Sequence, residues 1–286
     1  MTANSSNYVI RIRPRRSLWE VDWKGIFHYR DLLFLLVRRD FISKYKQTVL
    51  GPAWMLVQPL ATTLVFTLIF SKVAKISTDS TPPVLFYLSG LLMWNLFSQN
   101  LGGSGNVLQA NAHMFGKVYF PRIIVPLANG ISALIPFAIQ LTLFLVIYIF
   151  MGFTSHDGLE FRIGLKFLLF PLFVLQTTLI GLGSALIFSS MTAVYRDLQH
   201  LLGFLAQIWM YLTPIIMPVS QFPKEWRWLI QLNPMTAPVE GMRWVLLGAG
   251  TLSPGSLTLS WAISIGIFVA GFLWFNKIER SFVDRA

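Results

Sequence analysis

Long runs of uncharged apolar side chains constrain this chain more than anything else in it. Residues 53–70 carry no charged side chain, and apolar length marks six stretches at about 51–70, 84–101, 123–151, 163–191, 200–218 and 257–275. About 20 such residues are what a helix needs to cross the ~30 Å hydrocarbon core of a bilayer. With no water there to satisfy backbone groups, a spanning segment is helical unless it closes into a barrel. The expected fold is therefore an all-α integral membrane protein with six transmembrane helices. The third and fourth runs are longer than a crossing requires, so they tilt, kink or project. Pro126 and Pro136 offer kink points in the third and Pro171 in the fourth. Only 12% of residues are charged, about half of what a soluble domain carries.

The net charge of +11 would point to nucleic acid in a soluble protein, but ten of the 23 Lys and Arg residues precede Leu50, beside the first run. That placement fits anionic lipid headgroups better than a nucleic-acid face. With the N-terminus inside, 16 Lys and Arg fall in inner segments and seven in outer ones, so both termini are expected in the cytoplasm. The bias rests on the basic tail, residues 1–28; without the ten early cations the ratio is six to seven. The first thirty residues have no apolar core of the kind a cleavable signal peptide carries. There is no cysteine, hence no disulfide framework, thiolate metal site or Cys nucleophile.

Residues 29–286 read as a single transmembrane domain. Its first element, residues 29–46, turns amphipathic, with Phe34, Val37, Phe41 and Tyr45 on one side and Arg39, Ser43 and Lys46 opposite. Gly51-Pro52 separates it from the first span. A helix lying on the bilayer surface is expected, the alternative being a short cap on the bundle. Residues 106–122 carry a short helical pattern ended by Pro121, either an interfacial turn or a docking helix. Arg196-Asp197, in the connection 192–200, reads as an exposed pair of little energetic consequence. The segment 219–256 is different. Its apolar run 236–247 is too short to span and too apolar for a loop, so a re-entrant pair of half-membrane helices is expected. Glu240 and Arg243, at i and i+3, are placed to neutralise one another.

Polar residues in the spans, among them Asn95, Ser98, Gln99, Asn100, Asn129, Gln140 and Gln207, are expected mainly to join helices. None is ionisable, which leaves a proton or sodium relay little to work with. Trp54, Trp94, Phe97, Trp209 and Tyr211 are interfacial belt residues or, where they face a lumen, flat platforms for sugar rings. No phosphate-binding G-x-x-x-x-G-K-[ST] loop, H-E-x-x-H pair or G-x-S-x-G elbow occurs. His156, Asp157 and Glu160 share one loop and are the only footing for a lipid-processing enzyme. No catalytic residue, metal site or cofactor is expected in this chain, and a transporter built this way needs energy from elsewhere. A stand-alone channel or carrier is the other alternative.

Four segments, RRDFISKYKQTVLGPAWMLVQPL (38–60), ANAHMFGKVYFPRIIVPLAN (110–129), VYRDLQHLLGFLAQIWMYLTPIIMP (194–218) and WRWLIQLNPMTAPVEGMRWVLLG (226–248), come in the order seen in one family. The chain resembles the ABC-2-type permeases that export bacterial surface polysaccharides, closest to the O-antigen branch and similar to the capsule and teichoic acid branches. The resemblance implies a homodimer in the bacterial inner membrane with two separate ATPase subunits, which carry the ATP and Mg. It implies an undecaprenyl-pyrophosphate-linked glycan as cargo. It also implies roles: Arg38, Arg39, Lys44 and Lys46 where the lipid pyrophosphate enters; 106–119, with Gln109, His113, Lys117 and Tyr119, as the ATPase coupling helix; and 219–247, with Trp226, Trp228, Glu240 and Arg243, as the outer gate. A guanidinium suits a diphosphate because it binds bidentately.

Overall fold

The computed structural model describes residues 23–46, 48–79, 81–111, 120–154 and 164–282. Among these there are eleven α-helices and no strand. In chain order they are α1 (Trp23–His28), α2 (Arg30–Tyr45), α3 (Trp54–Phe66), α4 (Pro83–Ser104), α5 (Val107–Ala110), α6 (Ile124–Thr154), α7 (Phe170–Val194), α8 (Leu198–Leu212), α9 (Lys224–Leu232), α10 (Thr236–Leu246) and α11 (Pro254–Phe282).

Four helical segments are long and apolar enough to cross a membrane: Gly51–Val73, Ile124–Thr154, Lys166–Val194 and Pro254–Glu279. The other two apolar runs behave differently. Helix α4 has 22 residues, ~33 Å at 1.5 Å per residue, but is interrupted by Ser, Asn and Gln and almost wholly buried. Helix α8 has 15 residues, or ~22 Å, and ends at Leu212 before Pro214 rather than continuing to residue 218. Pro171 is not a kink. It lies at the start of α7, where a proline's missing N–H costs no helical bond, and Leu165–Leu169 before it is 3-10 helix. Pro136 does lie inside α6. The last turns of the first span, Thr67–Val73, widen into a π-helix.

Helix α4 is the centre. It packs on α3, α6, α7, α8 and α10, and its buried Leu, Met, Trp and Phe side chains form the larger of two cores. The most extensive helix pair is α7 with α11. A Cβ on Gly183 would come within 2.6 Å of the Phe268 backbone, so only glycine lets the two backbones approach so closely. Beside that contact, Gln176 on α7 donates to the hydroxyls of Ser260 (2.8 Å) and Ser264 (3.2 Å) on α11.

The smaller core joins Leu36 of α2, Val107 and Leu108 of α5, Phe120, the start of α6, Leu186 and Phe275. It corrects the expected face of α2. The packed stripe is Tyr29, Leu32, Leu33, Leu36 and Val37, which follows the i, i+3, i+4 spacing. Phe34, placed on the apolar side by sequence, is 65% exposed, together with Leu35 and Ile42. Helix α2 therefore has apolar side chains facing both the bundle and the outside.

Candidate transport sites: a polar cavity and a buried ion pair

Where α2 ends and α3 begins, Lys44, Tyr45 and Trp54 come together over the second half of α4. Gln58 from α3, Asn95, Ser98 and Gln99 from α4 and Gln140 from α6 complete the wall, and Met55, Pro59 and Pro136 also line it. The cavity holds about 420 Å³, within the range of small-ligand pockets, roughly 300–1,000 Å³. The helical repeat places Asn95, Ser98 and Gln99 on one side, at i, i+3 and i+4. Asn95 Nδ2 donates to Gln140 Oε1 at 3.1 Å, joining α4 to α6. Burial raises the Tyr45 hydroxyl pKa, so at neutral pH it is a neutral hydrogen-bonding group.

At the other end of α4 lies the second site. Arg243 and Glu240, each 1% exposed, form an ion pair of 3.0 Å. Arg243 Nη1 also donates to the Pro214 carbonyl (2.6 Å), and Nη2 to those of Ile215 (3.1 Å) and Phe86 (3.4 Å). The guanidinium sits 3.6 Å above the Phe86 ring. Glu240 Oε2 accepts from the Thr251 amide at 3.0 Å. The spacing that made the pair foreseeable thus builds a larger hub. It joins α4, the turn after α8, α10 and the loop before α11.

Asn233 fixes the turn that leads into α10. Its side chain accepts from the Met235 amide (3.0 Å) and from Trp209 Nε1 (2.9 Å), and donates to Leu212 O and Thr213 Oγ1. An Asn bonding its own backbone two residues on is why Asn-Pro reads as a turn. Helices α9 and α10 differ sharply. Helix α10 is buried along nearly its whole length, whereas α9 has no buried residue, and Trp226 and Trp228 are exposed on it.

Among the cations grouped at 38–46, only Lys44 reaches the cavity; Arg38 and Lys46 are exposed, and Arg39 is bonded to Asp40 at 2.8 Å. The aromatic candidates separate too. Trp54 is 48% and Tyr211 56% exposed, and Trp209 is half-buried with its ring N–H on Asn233. Trp94 (5%) and Phe97 (0%) are core residues, with Phe97 wedged between Trp94 at 4.9 Å and Trp209 at 4.8 Å between ring centroids. Both are buried in the larger core, where α4 packs against α8. In the connection 106–122, α5 is a single turn held against α7. Leu108 N donates to Ser189 Oγ, and Gln109 donates to the Thr192 carbonyl at 2.9 Å. His113, Lys117 and Tyr119, and with them the rest of the expected coupling helix, lie outside the described residues, as do His156, Asp157 and Glu160. Sequence reasoning missed Gln58 as a cavity residue; its single signal was an amide inside an otherwise apolar span.

The apolar helices thus carry a polar cavity beside one half of α4 and a buried ion pair beside the other. Residues 31–247 match the profile of the ABC-2 type transporter family. The chain belongs to that family. This ABC-2 chain is 26% identical over 254 residues to an O-antigen export system permease protein RfbA of Klebsiella pneumoniae, spanning 89% of this chain and 94% of the relative. It is 30% identical over 216 residues to the protein of the same description from Myxococcus xanthus, covering 75% and 79% of the two chains. It is 24% identical over 226 residues to the polysialic acid transport protein KpsM of Escherichia coli, at 79% and 83% coverage. An ABC-2 chain is a transport subunit rather than an enzyme.

Proposed function

We propose that this chain is the transmembrane subunit of an ABC exporter that carries a polysaccharide, O-antigen first among the candidates, across the bacterial cytoplasmic membrane. The observation that carries the reading is the near end-to-end similarity to relatives described as O-antigen export permeases. Capsule export has a specific observation in its favour, the similarity to a polysialic acid transport protein, and stands as the second reading.

In this reading the cargo is linked through pyrophosphate to undecaprenol, and two copies of the chain form the channel over two separate ATPase subunits. Helices α4 and α8 join the four longer segments to give six spans, with both termini cytoplasmic. Helix α2 lies at the inner interface, where its outward Phe34, Leu35 and Ile42 meet lipid and its cations meet phosphate. The α9–α10 pair is the outer gate, anchored through Glu240 and Arg243. Residues 106–119 transmit the ATPase stroke.

The test is transport by the chain, with and without its co-purifying ATPase, in vesicles loaded with an undecaprenyl-diphosphate glycan. Translocation that requires both the ATPase and ATP is expected, and Lys117→Glu should uncouple hydrolysis from movement. Glycan flux through the chain alone, without nucleotide, would make it a free-standing channel and end this reading.

A further inference from the structure

The polar side chains of the Lys44 cavity are used differently from those elsewhere in the bundle. Gln176 spends its amide on Ser260 and Ser264, Asn233 bonds four times, Asn129 donates to the Gly103 carbonyl, and Gln109 to that of Thr192. Those residues join helices through their amide N–H groups, although Gln176 Oε1 has no partner among the described residues. In the cavity the sole side-chain bond among the described residues runs from Asn95 to Gln140. The side-chain amides of Gln58 and Gln99 have no hydrogen-bond partner among the described residues, although each offers two donors and a carbonyl. Lys44 stands at the same wall with no carboxylate among the described residues to neutralise it. Trp54 adds a large, half-open ring.

We infer that this cavity is a saccharide site. It receives the sugar next to the diphosphate of a lipid-linked glycan, with the amides of Gln58, Asn95, Gln99 and Gln140 on the ring hydroxyls and Lys44 on the phosphate. The inference rests on the exporter reading above. The ligand class follows from the lining. Primary amides donate and accept at once, which matches hydroxyls, themselves donors and acceptors. An indole ring covers the apolar C–H face of a pyranose while hydroxyls point to the amides. One ammonium is a point charge for a phosphate but repels a cation, and the polar wall disfavours an acyl chain, whose burial gains nothing there.

The experiment measures equilibrium binding to the full chain, purified with its co-purifying ATPase in nanodiscs, for three probes: undecaprenyl diphosphate, undecaprenyl-diphosphate N-acetylglucosamine and free N-acetylglucosamine 1-phosphate. The sugar-bearing lipid should bind about tenfold more tightly than the bare diphosphate, as one or two net hydrogen bonds allow. The double variant Gln58→Leu, Gln99→Leu should cut that difference severalfold while binding the bare diphosphate as before, which also reports that it is folded. Lys44→Ala should weaken both lipids, and the free sugar phosphate should bind far more weakly than either. Equal affinity for the two lipids, or a sugar increment that the double variant leaves undiminished, overturns the site. A free sugar phosphate that binds as tightly as the lipid overturns its lipid-linked character. Failure of the exporter reading looks different: neither lipid binds, and both proposals fall together.

Discussion

At the Arg243 hub, four of the five guanidinium N–H groups reach an acceptor, and both carboxylate oxygens of Glu240 are bonded. At the Lys44 cavity, the side-chain amides of Gln58 and Gln99 and the hydroxyls of Tyr45 and Ser98 have no hydrogen-bond partner among the described residues. Both sites are polar islands flanking α4, one near each end of it. A buried charge left without a partner is expensive, so a hub of this kind persists only when it is filled by the protein itself. The cavity is open, so water satisfies its groups until something better displaces it. Filled polar groups hold a fold together; open ones are available to a ligand.

The largest effect should come from breaking the hub. Arg243→Met leaves the Glu240 carboxylate buried with only the Thr251 amide, and thermal unfolding in detergent should register a loss of about 3–5 kcal/mol. Adding Glu240→Gln should restore much of it. An Arg243→Met chain that melts like wild type would show the hub to be dispensable and erase the contrast between the sites. A smaller effect is expected at Gly90, where a Cβ would sit 2.9 Å from Arg243 Nη2 and 3.3 Å from Ile215 Cγ2. Gly90→Ala should cost about 1–3 kcal/mol by crowding the guanidinium. On the same helix Gly102 has nothing within 4 Å of such a Cβ, so Gly102→Ala should stabilise by a few tenths to ~1 kcal/mol through helix propensity. If the two alanines behave alike, the crowding argument is wrong.

The cavity should respond in the opposite currency. Lys44→Ala should lower glycan export by about tenfold, the scale of one charge-assisted contact, with the melting temperature unchanged. A parallel fall in both would mark Lys44 as structural. The smallest effect is expected at Asp40, whose pair with Arg39 is exposed and joins adjacent residues. Asp40→Asn should change stability by less than ~1 kcal/mol, and export should not fall, since it frees Arg39 for phosphate.

Helix α2 illustrates the limit of pattern reading. Its existence and its bounds near residue 45 follow from composition and the Gly51-Pro52 break. Its buried stripe was misplaced because Phe34 and Leu36 are equally apolar, and only docking on α6 and Phe275 selects Leu36. The same holds for Phe97 and Trp54. Both are aromatics in apolar runs, yet one has α8 against it and the other an opening.

By itself the sequence determined the all-helical class, the four membrane-length apolar segments and the Glu240–Arg243 pairing, because each depends on residues near one another along a helix, whose period is fixed by backbone geometry. Tertiary structure alone decided the rest. Arg243's further partners are carbonyls of Phe86, Pro214 and Ile215, and every residue carries a carbonyl, so no side-chain pattern announces them. The cavity is the space left where α2, α3, α4 and α6 fail to close on one another. A void is set by how whole helices pack rather than by any stretch of residues.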